Sequence, residues 1–158
     1  KCLLMSTLHF YKSDIIKNNN IFFKEGILHE DELHSLTMYM YIKKVSYIDE
    51  KLYIRRFREG SIMTNDLYNN DKSLESYIYV LKSLNKIKNK NSNLELNSLI
   101  DYRGSLILSN LIRYKNMDLK KLLEIKKDLS FKLLKKRVFA NIILFKFLNK
   151  NIRKKIGY

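Results

Sequence analysis

The chain has 158 residues, 31 Lys and Arg against 16 Asp and Glu, a formal net charge of +15, no proline and four glycines. That length suits one domain or a small domain with an appendage, and a hydrophobic content of 46% excludes wholesale disorder. With the residues that punctuate turns and break helices so scarce, the composition predicts a mainly α chain.

A single cysteine, Cys2, excludes an internal disulfide and fits a reducing compartment. In the apolar run Cys2-Leu3-Leu4-Met5 it reads as a buried, inert thiol. The first residue is Lys1 and no signal peptide follows. The chain is therefore expected to begin partway through a longer one and to be cytoplasmic. A balance this basic directs attention to nucleic acid or anionic lipid. The crowding with Lys, Asn, Ile and Tyr, whose codons are rich in A and T, is a source of charge of equal weight. Lysine also lacks the bidentate fork of specific phosphate readers.

In chain order, Cys2 to Met5 reads as a short buried strand or loop. Ser13 is positioned to cap a brief helix through Asp14, Ile15 and Ile16, which Asn18-Asn19-Asn20 stops. Ile21-Phe22-Phe23 is a short apolar segment and Gly26 marks a turn. From Asp31 the pattern is helical, with Leu33, Leu36, Met40 and Lys44 on one face. Val45-Ser46-Tyr47-Ile48 and Leu52-Tyr53-Ile54 are β-branched and aromatic, and predict two short strands about an Asp49-Glu50 turn. Residues 55–70 are polar and irregular.

Beyond them Leu74, Tyr77, Ile78, Leu81 and Leu84 line one face of a helix. Ser92 and Glu95 form a capping-box pattern before a helix carrying Leu96, Leu99, Ile100, Ile107 and Leu111. Asp118 caps the next, whose stripe is Leu122, Ile125, Leu129 and Leu133. Val138 to Leu148 is more apolar and precedes the basic Arg153-Lys154-Lys155, but falls short of the ~20 apolar residues that span a bilayer. It reads as a core-packing helix, or alternatively as a helix lying on an anionic membrane surface. No internal repeat, Gly-rich phosphate loop or zinc-spaced Cys/His cluster occurs. The chain thus divides into residues 1–66, with too few strands to close a sheet alone, and a helical region, 67–158.

Two clusters offer chemistry. Glu25-Gly26-Ile27-Leu28-His29-Glu30-Asp31-Glu32 sets acids beside a histidine. It is either a negative first helical turn with Asp31 as cap, complementing the macrodipole, or a carboxylate at a cleft that accepts a proton from a substrate hydroxyl. Arg55-Arg56-Phe57-Arg58-Glu59-Gly60-Ser61-Ile62-Met63-Thr64 is either a solvated loop or an anion site built from guanidinium forks and free amides. His29 and His34, five apart, do not share a helix face and predict no metal pair. His29 reads as a structural polar contact, or as a partner for Asp31 or a phosphate. His9, beside Phe10, reads as a partly buried structural histidine.

Taken in order, Phe10-Tyr11-Lys12, the run Ile21 to Glu32, Val45 to Ile48, and Leu52-Tyr53 through Arg58-Glu59-Gly60-Ser61-Ile62-Met63-Thr64 resemble bacterial family 2 glycosyltransferases over residues 8 to about 64. Those are inverting enzymes of the GT-A fold, many acting in capsular or other cell-surface polysaccharide synthesis. The resemblance implies an acceptor-side, C-terminal fragment of an α/β GT-A domain in residues 1–66, followed by an α-helical appendage. It maps the family's Glu-Asp pair onto Glu30 and Asp31, with Asp31 as catalytic base and Glu30 positioning the acceptor. It also places Arg56, Arg58 and Ser61 in substrate binding, near the donor diphosphate, and His29, as a candidate phosphate partner, is counted with them.

The implied partners are a nucleotide sugar, a glycan or lipid-linked acceptor and a nucleotide-binding half upstream of Lys1, with peripheral contact at the inner face of the cell membrane as an option and no specific nucleic acid. The implied divalent cation, Mg or Mn, belongs to the full-length enzyme, and none is expected on this chain alone. Ser6-Thr7-Leu8 stands where relatives often carry an aromatic, and Lys51 where proline is common. The family's Asp-x-Asp metal motif is not in the sequence. The rival from another class is a small basic helical module for nucleic acid or a membrane surface, resting on the charge and the tyrosines interleaved with lysines.

Overall fold

The computed structural model describes residues 5–54, 56 and 70–131. Their regular elements are a 3-10 turn at Ser6–Leu8 and five helices: α1 (Ser13–Asn18), α2 (Glu30–Met38), α3 (Asp71–Lys90), α4 (Leu94–Leu111) and α5 (Leu119–Lys127). The chain is mainly helical, and no strand or sheet forms among the described residues.

Helix α3 starts where Asn70 accepts from the Ser73 amide at 3.1 Å. Asp71 in its first turn and Lys88 and Lys90 in its last complement the macrodipole. Leu74, Leu81 and Leu84 of the expected stripe are buried, with Val80 beside them, while Tyr77 and Ile78 pack on the flank. The start expected at Ser92 lies one residue later. Asn93 Oδ1 accepts from the amides of Glu95 (2.9 Å) and Leu96 (3.0 Å), and Ser92 is exposed. Asparagine caps as well as serine, and from position 93 it reaches two otherwise unpaired amides at once.

Three residues, 91–93, connect α3 to α4, and such short links give antiparallel neighbours. Lys88 pairs with Asp101 near the turn, and Ser73 meets Tyr114 at the opposite end. Between them Leu81 and Leu84 pack in one core with Ile100, Ile107 and Leu111, joined by Leu36 from α2 and Leu122 from α5. Asp118 caps α5 as expected, accepting from the Lys121 amide at 2.8 Å. Ile125 and Leu129 lie against the core, and Leu133 is outside the described residues. After α5 the chain docks on α3, with Ser130 donating through its amide and hydroxyl to Asn85 Oδ1. Phe131 then covers Gly104, where an added Cβ would come within 2.9 Å of the ring. That close approach is why α4 carries a glycine on its buried face.

The amino-terminal part departs further from expectation. Lys12 occupies the cap position of α1 with no side-chain bond, and Ser13 is the first helical residue. The asparagines end it as anticipated: Asn19 donates to the Ile15 carbonyl at 2.8 Å, and Asn20 turns left-handed at φ 51°. Gly26, at φ 81°, makes the expected turn. Helix α2 begins at Glu30 with His29, not Asp31, in the cap position. It stops at Met38, where the amides of Tyr39, Met40 and Tyr41 tighten into the last turn. Leu36 is buried and Leu33 and Met40 flank the core, but Met38 takes the inward place, and Lys44 is past the helix end and exposed.

The hairpin about Asp49-Glu50 does not form. Residues 42–54 run without strand pairing, with Val45, Tyr47, Ile48, Leu52 and Ile54 exposed. A two-residue hairpin loop needs positive φ at its centre. Among the described residues only Asn20, Gly26 and His29 adopt it. The division expected near residue 66 and the apolar stretch Val138 to Leu148 lie outside the described residues, as do Cys2 to Leu4. Across that division Leu36 shares its core with α3 and α4. Among the described residues no helix is long and apolar enough to cross a membrane.

Candidate functional site

The amino end of α2 brings together His29, Glu30 and Asp31 of the residues the sequence singled out. Glu30, Asp31 and Glu32 fill its first turn, and His29 before them is left-handed, with φ 62° and ψ 29°. Histidine tolerates that region better than a β-branched residue would, at some cost in strain. No side chain caps the helix from His29. The entry is held from outside instead. Ser76 accepts the Leu28 amide at 2.9 Å and donates to the Lys72 carbonyl. The His29 ring stacks on Tyr77 with centroids 3.8 Å apart and is bonded through Nε2 to Ser73 Oγ at 2.8 Å. Ser73 Oγ in turn meets the Tyr114 hydroxyl at 2.7 Å.

One turn into α2, Glu32 receives a two-pronged ion pair from α4. Arg103 Nε donates to Oε1 and Nη2 to Oε2, both at 2.7 Å. Burial alone would pull the Arg103 pKa down. The hydrogen bonds and charge of Glu32 outweigh it and leave the guanidinium above its ordinary value. One acid of the three is thereby committed to structure.

Asp31 is not. It is partly buried, and among the described residues its Oδ1 accepts only the adjacent Glu32 amide, at 2.9 Å. Burial, reinforced by the negative charge of Glu30, raises its pKa above the ordinary 3.8, against the opposing pull of that amide and of His29. A carboxyl raised in this way is a stronger base than a solvated one and better matched to proton transfer near neutrality. Burial moves His29 in the other direction, lowering it from 6.5 against the pull of Asp31, Glu32 and Glu30.

Glu30 is partly buried, next to Asp31. Arg56 is exposed, and among the described residues no hydrogen bond or ion pair joins it to the acidic turn. Arg58 and Ser61 are outside the described residues. His34 packs away from His29: it is buried, stacked on Phe23 at 4.0 Å and edge-on to Tyr11. His9 is partly buried and accepts or donates at Nδ1 to the Tyr11 hydroxyl, 2.9 Å away. Among the described residues no group of three or more His, Cys, Asp or Glu side chains is placed to hold a metal ion.

No family model matches the chain. No curated protein or solved structure matches it either.

Sequence reasoning missed Arg103, Ser73 and Tyr114, although a signal existed. Arg103 interrupts the stripe Leu96, Ile100, Ile107 at its own helical spacing, and Ser73 stands four before Tyr77 and eleven before Leu84. A charged or hydroxyl residue on an apolar stripe requires a buried partner, and the acidic turn supplies one.

The histidines give a pH prediction. Burial lowers both His29 and His34, so the folded state resists protons that the unfolded chain accepts. Stability is full above the ordinary 6.5 and is lost as pH falls below it. Urea midpoints should drop between about pH 7.5 and about pH 5.5, and the paired change His29→Gln with His34→Gln should remove most of that drop. An undiminished drop in the paired variant would assign it to other groups.

Proposed function

We propose that the amino end of α2 is the acceptor side of an inverting glycosyl-transfer site, in an enzyme of cell-surface polysaccharide synthesis. The observation that carries this is Asp31: a partly buried carboxyl with a raised pKa, in a helical turn anchored at three points to α3 and α4. An acceptor hydroxyl attacks the anomeric carbon of a nucleotide sugar. The new oxygen–carbon bond forms as the bond to the departing diphosphate breaks, and Asp31 takes the hydroxyl proton. Glu30 orients the acceptor, and His29 lines the same turn.

Arg56, with Arg58 and Ser61, belongs in this reading to a loop beside the diphosphate, where guanidinium forks suit phosphate oxygens. The α/β GT-A domain, its nucleotide-binding half and a divalent cation that neutralises the leaving diphosphate are parts of the same proposal. So are a cytoplasmic location and peripheral contact with the membrane. Residues 1–158 alone are then expected to bind a nucleotide sugar poorly.

The basic-module alternative rests on exposed Phe10 and Phe22 near the exposed Lys12 and Lys24, a pattern on which bases can stack. One comparison separates the two. The protein expressed in full from its own coding sequence is given labelled nucleotide sugars with glycan or lipid-linked acceptors, and in parallel is titrated with labelled single-stranded nucleic acid. Label transfer supports the enzyme. Absence of transfer from every donor, with nucleic-acid retention that weakens steeply as salt rises, replaces it with the alternative.

A further inference from the structure

Ser73, Ser76 and Tyr77 turn one face of α3 to the acidic turn. A second face, at Asp71, Leu74, Glu75 and Ile78, borders an open furrow of about 530 Å³. Those positions are three and four apart, so they form one stripe about two turns long. The other wall is Asn116, Met117 and the α5 residues Lys121, Glu124 and Ile125. The furrow exists because α3 and α5 each pack on α4. They are tied to each other past the end of α5, where Asn85 bonds Asp128 and Ser130.

Its floor is apolar and its rim is acidic. Leu74 and Met117 close the bottom, and Ile78 and Ile125 are partly open above them. Asp71 and Glu75 stand on the α3 side and Glu124 on the α5 side, all three exposed. Asp71 is engaged by the Asn116 side-chain amide. Among the described residues no ion pair or hydrogen bond involves the side chain of Glu75 or Glu124. Of the lining residues only Lys121 is a cation, and it donates to the Asn116 carbonyl at 3.3 Å. The strip is therefore negative in a chain whose net charge is +15. That local reversal of sign identifies the occupant. Nucleic acid is repelled by such a rim, and a symmetric second copy would set the rim against itself. A helix with an apolar stripe flanked by lysine or arginine matches both floor and rim. Its alkyl stems lie along apolar surface while the charged heads reach the carboxylates.

We propose that the furrow between α3 and α5 receives a basic amphipathic helix of a partner protein. Its apolar stripe covers Ile78 and Ile125, and its lysines or arginines meet Glu75 and Glu124. Apolar residues three and four apart on the incoming helix repeat at the pitch of Leu74 and Ile78. The floor supplies contact and the rim selects the sign of the partner. The furrow admits few side chains, so binding is transient, and its exposed carboxylates make it salt-sensitive. Nothing in this surface depends on the chemistry at Asp31.

Fluorescence anisotropy on the full chain tests this with labelled helical peptides of about 14 residues, roughly four turns. One carries leucine at helical spacing with lysine on both flanks, and its counterpart has glutamate for each lysine. At about 0.15 M salt, charges beyond about 8 Å are screened, so the rim rather than the net charge is read. The lysine peptide should bind the wild type and saturate. Glu75→Lys with Glu124→Lys changes two exposed side chains and should leave helical circular dichroism unaltered. It should weaken the lysine peptide by about tenfold. The glutamate peptide, which net charge alone would favour, should bind this variant no more weakly than the wild type. The proposal is overturned by a wild type that does not bind the lysine peptide, or by a variant that binds it unchanged. A variant that weakens both peptides equally also overturns it, because the rim would then not select charge. Wild-type self-association in sedimentation velocity that the variant abolishes would give the furrow to a second copy instead.

Discussion

Arg103→Ala should lower the unfolding free energy by about 3 kcal/mol, the lower end of the cost of breaking a buried pair from one side. The reasoning is local. Glu32 is 10% exposed and Arg103 25%, so neither charge is well hydrated, and each is satisfied chiefly by the other. Removing the guanidinium leaves a carboxylate against the core with no cation to offset its lost hydration. In a chain of this size the thermal midpoint should fall by about 6–12 °C. The companion variant Arg103→Met with Glu32→Leu removes both charges and retains apolar bulk, and it should recover most of the loss. If the double variant is as unstable as the single one, loss of the pair's own two hydrogen bonds rather than uncompensated charge is responsible.

Asp31→Asn is the second large effect, and it should separate function from folding. In the complete enzyme it should reduce transfer by about 10²–10⁴-fold, the usual worth of a positioned general base. Asparagine keeps an oxygen for the Glu32 amide that Asp31 now accepts. The stability change has the opposite sign. The folded pKa of Asp31 is raised, so its ionised form is less welcome in the folded state than in the unfolded one, and above that pKa the charge weakens folding. At neutral pH the amide variant should therefore melt no lower than the wild type, and slightly higher if anything. Undiminished transfer would remove Asp31 from the base role. A variant that melts lower would mark the carboxylate as a structural part of the helix start.

What could be read from the sequence follows the range of the forces concerned. The stripes of α3, α4 and α5 repeat every three to four residues, and Asp118 caps its own helix, so nearest neighbours decide both. The one-residue shift from Ser92 to Asn93 reflects two adjacent residues of nearly equal capping strength, which composition cannot rank. The polar fastening of α2 was invisible for a different reason. Glu32 meets Arg103 across 71 positions and His29 meets Ser73 across 44, separations at which no local pattern operates. Arg103 on an apolar stripe demanded a partner without naming it. The Val45 and Leu52 segments have strand propensity, but a strand exists only through a neighbour, and Asp49-Glu50 cannot make the turn that would have supplied one. The arginine loop carried much of the resemblance to glycosyltransferases, and of it only Arg56 is described.

The left-handed backbone at His29 bears on how portable this acidic turn is. Its geometry is set neither by its own helix, which has no side-chain cap, nor by its immediate neighbours. Two serines and an arginine from distant stretches of chain hold it in register, much as a jig holds a workpiece. Residues 5–54 grafted onto another protein would carry every acid of the turn and none of what aims it. The helices from Asp71 onward are the mount of this turn, so engineering directed at Asp31 has to include them.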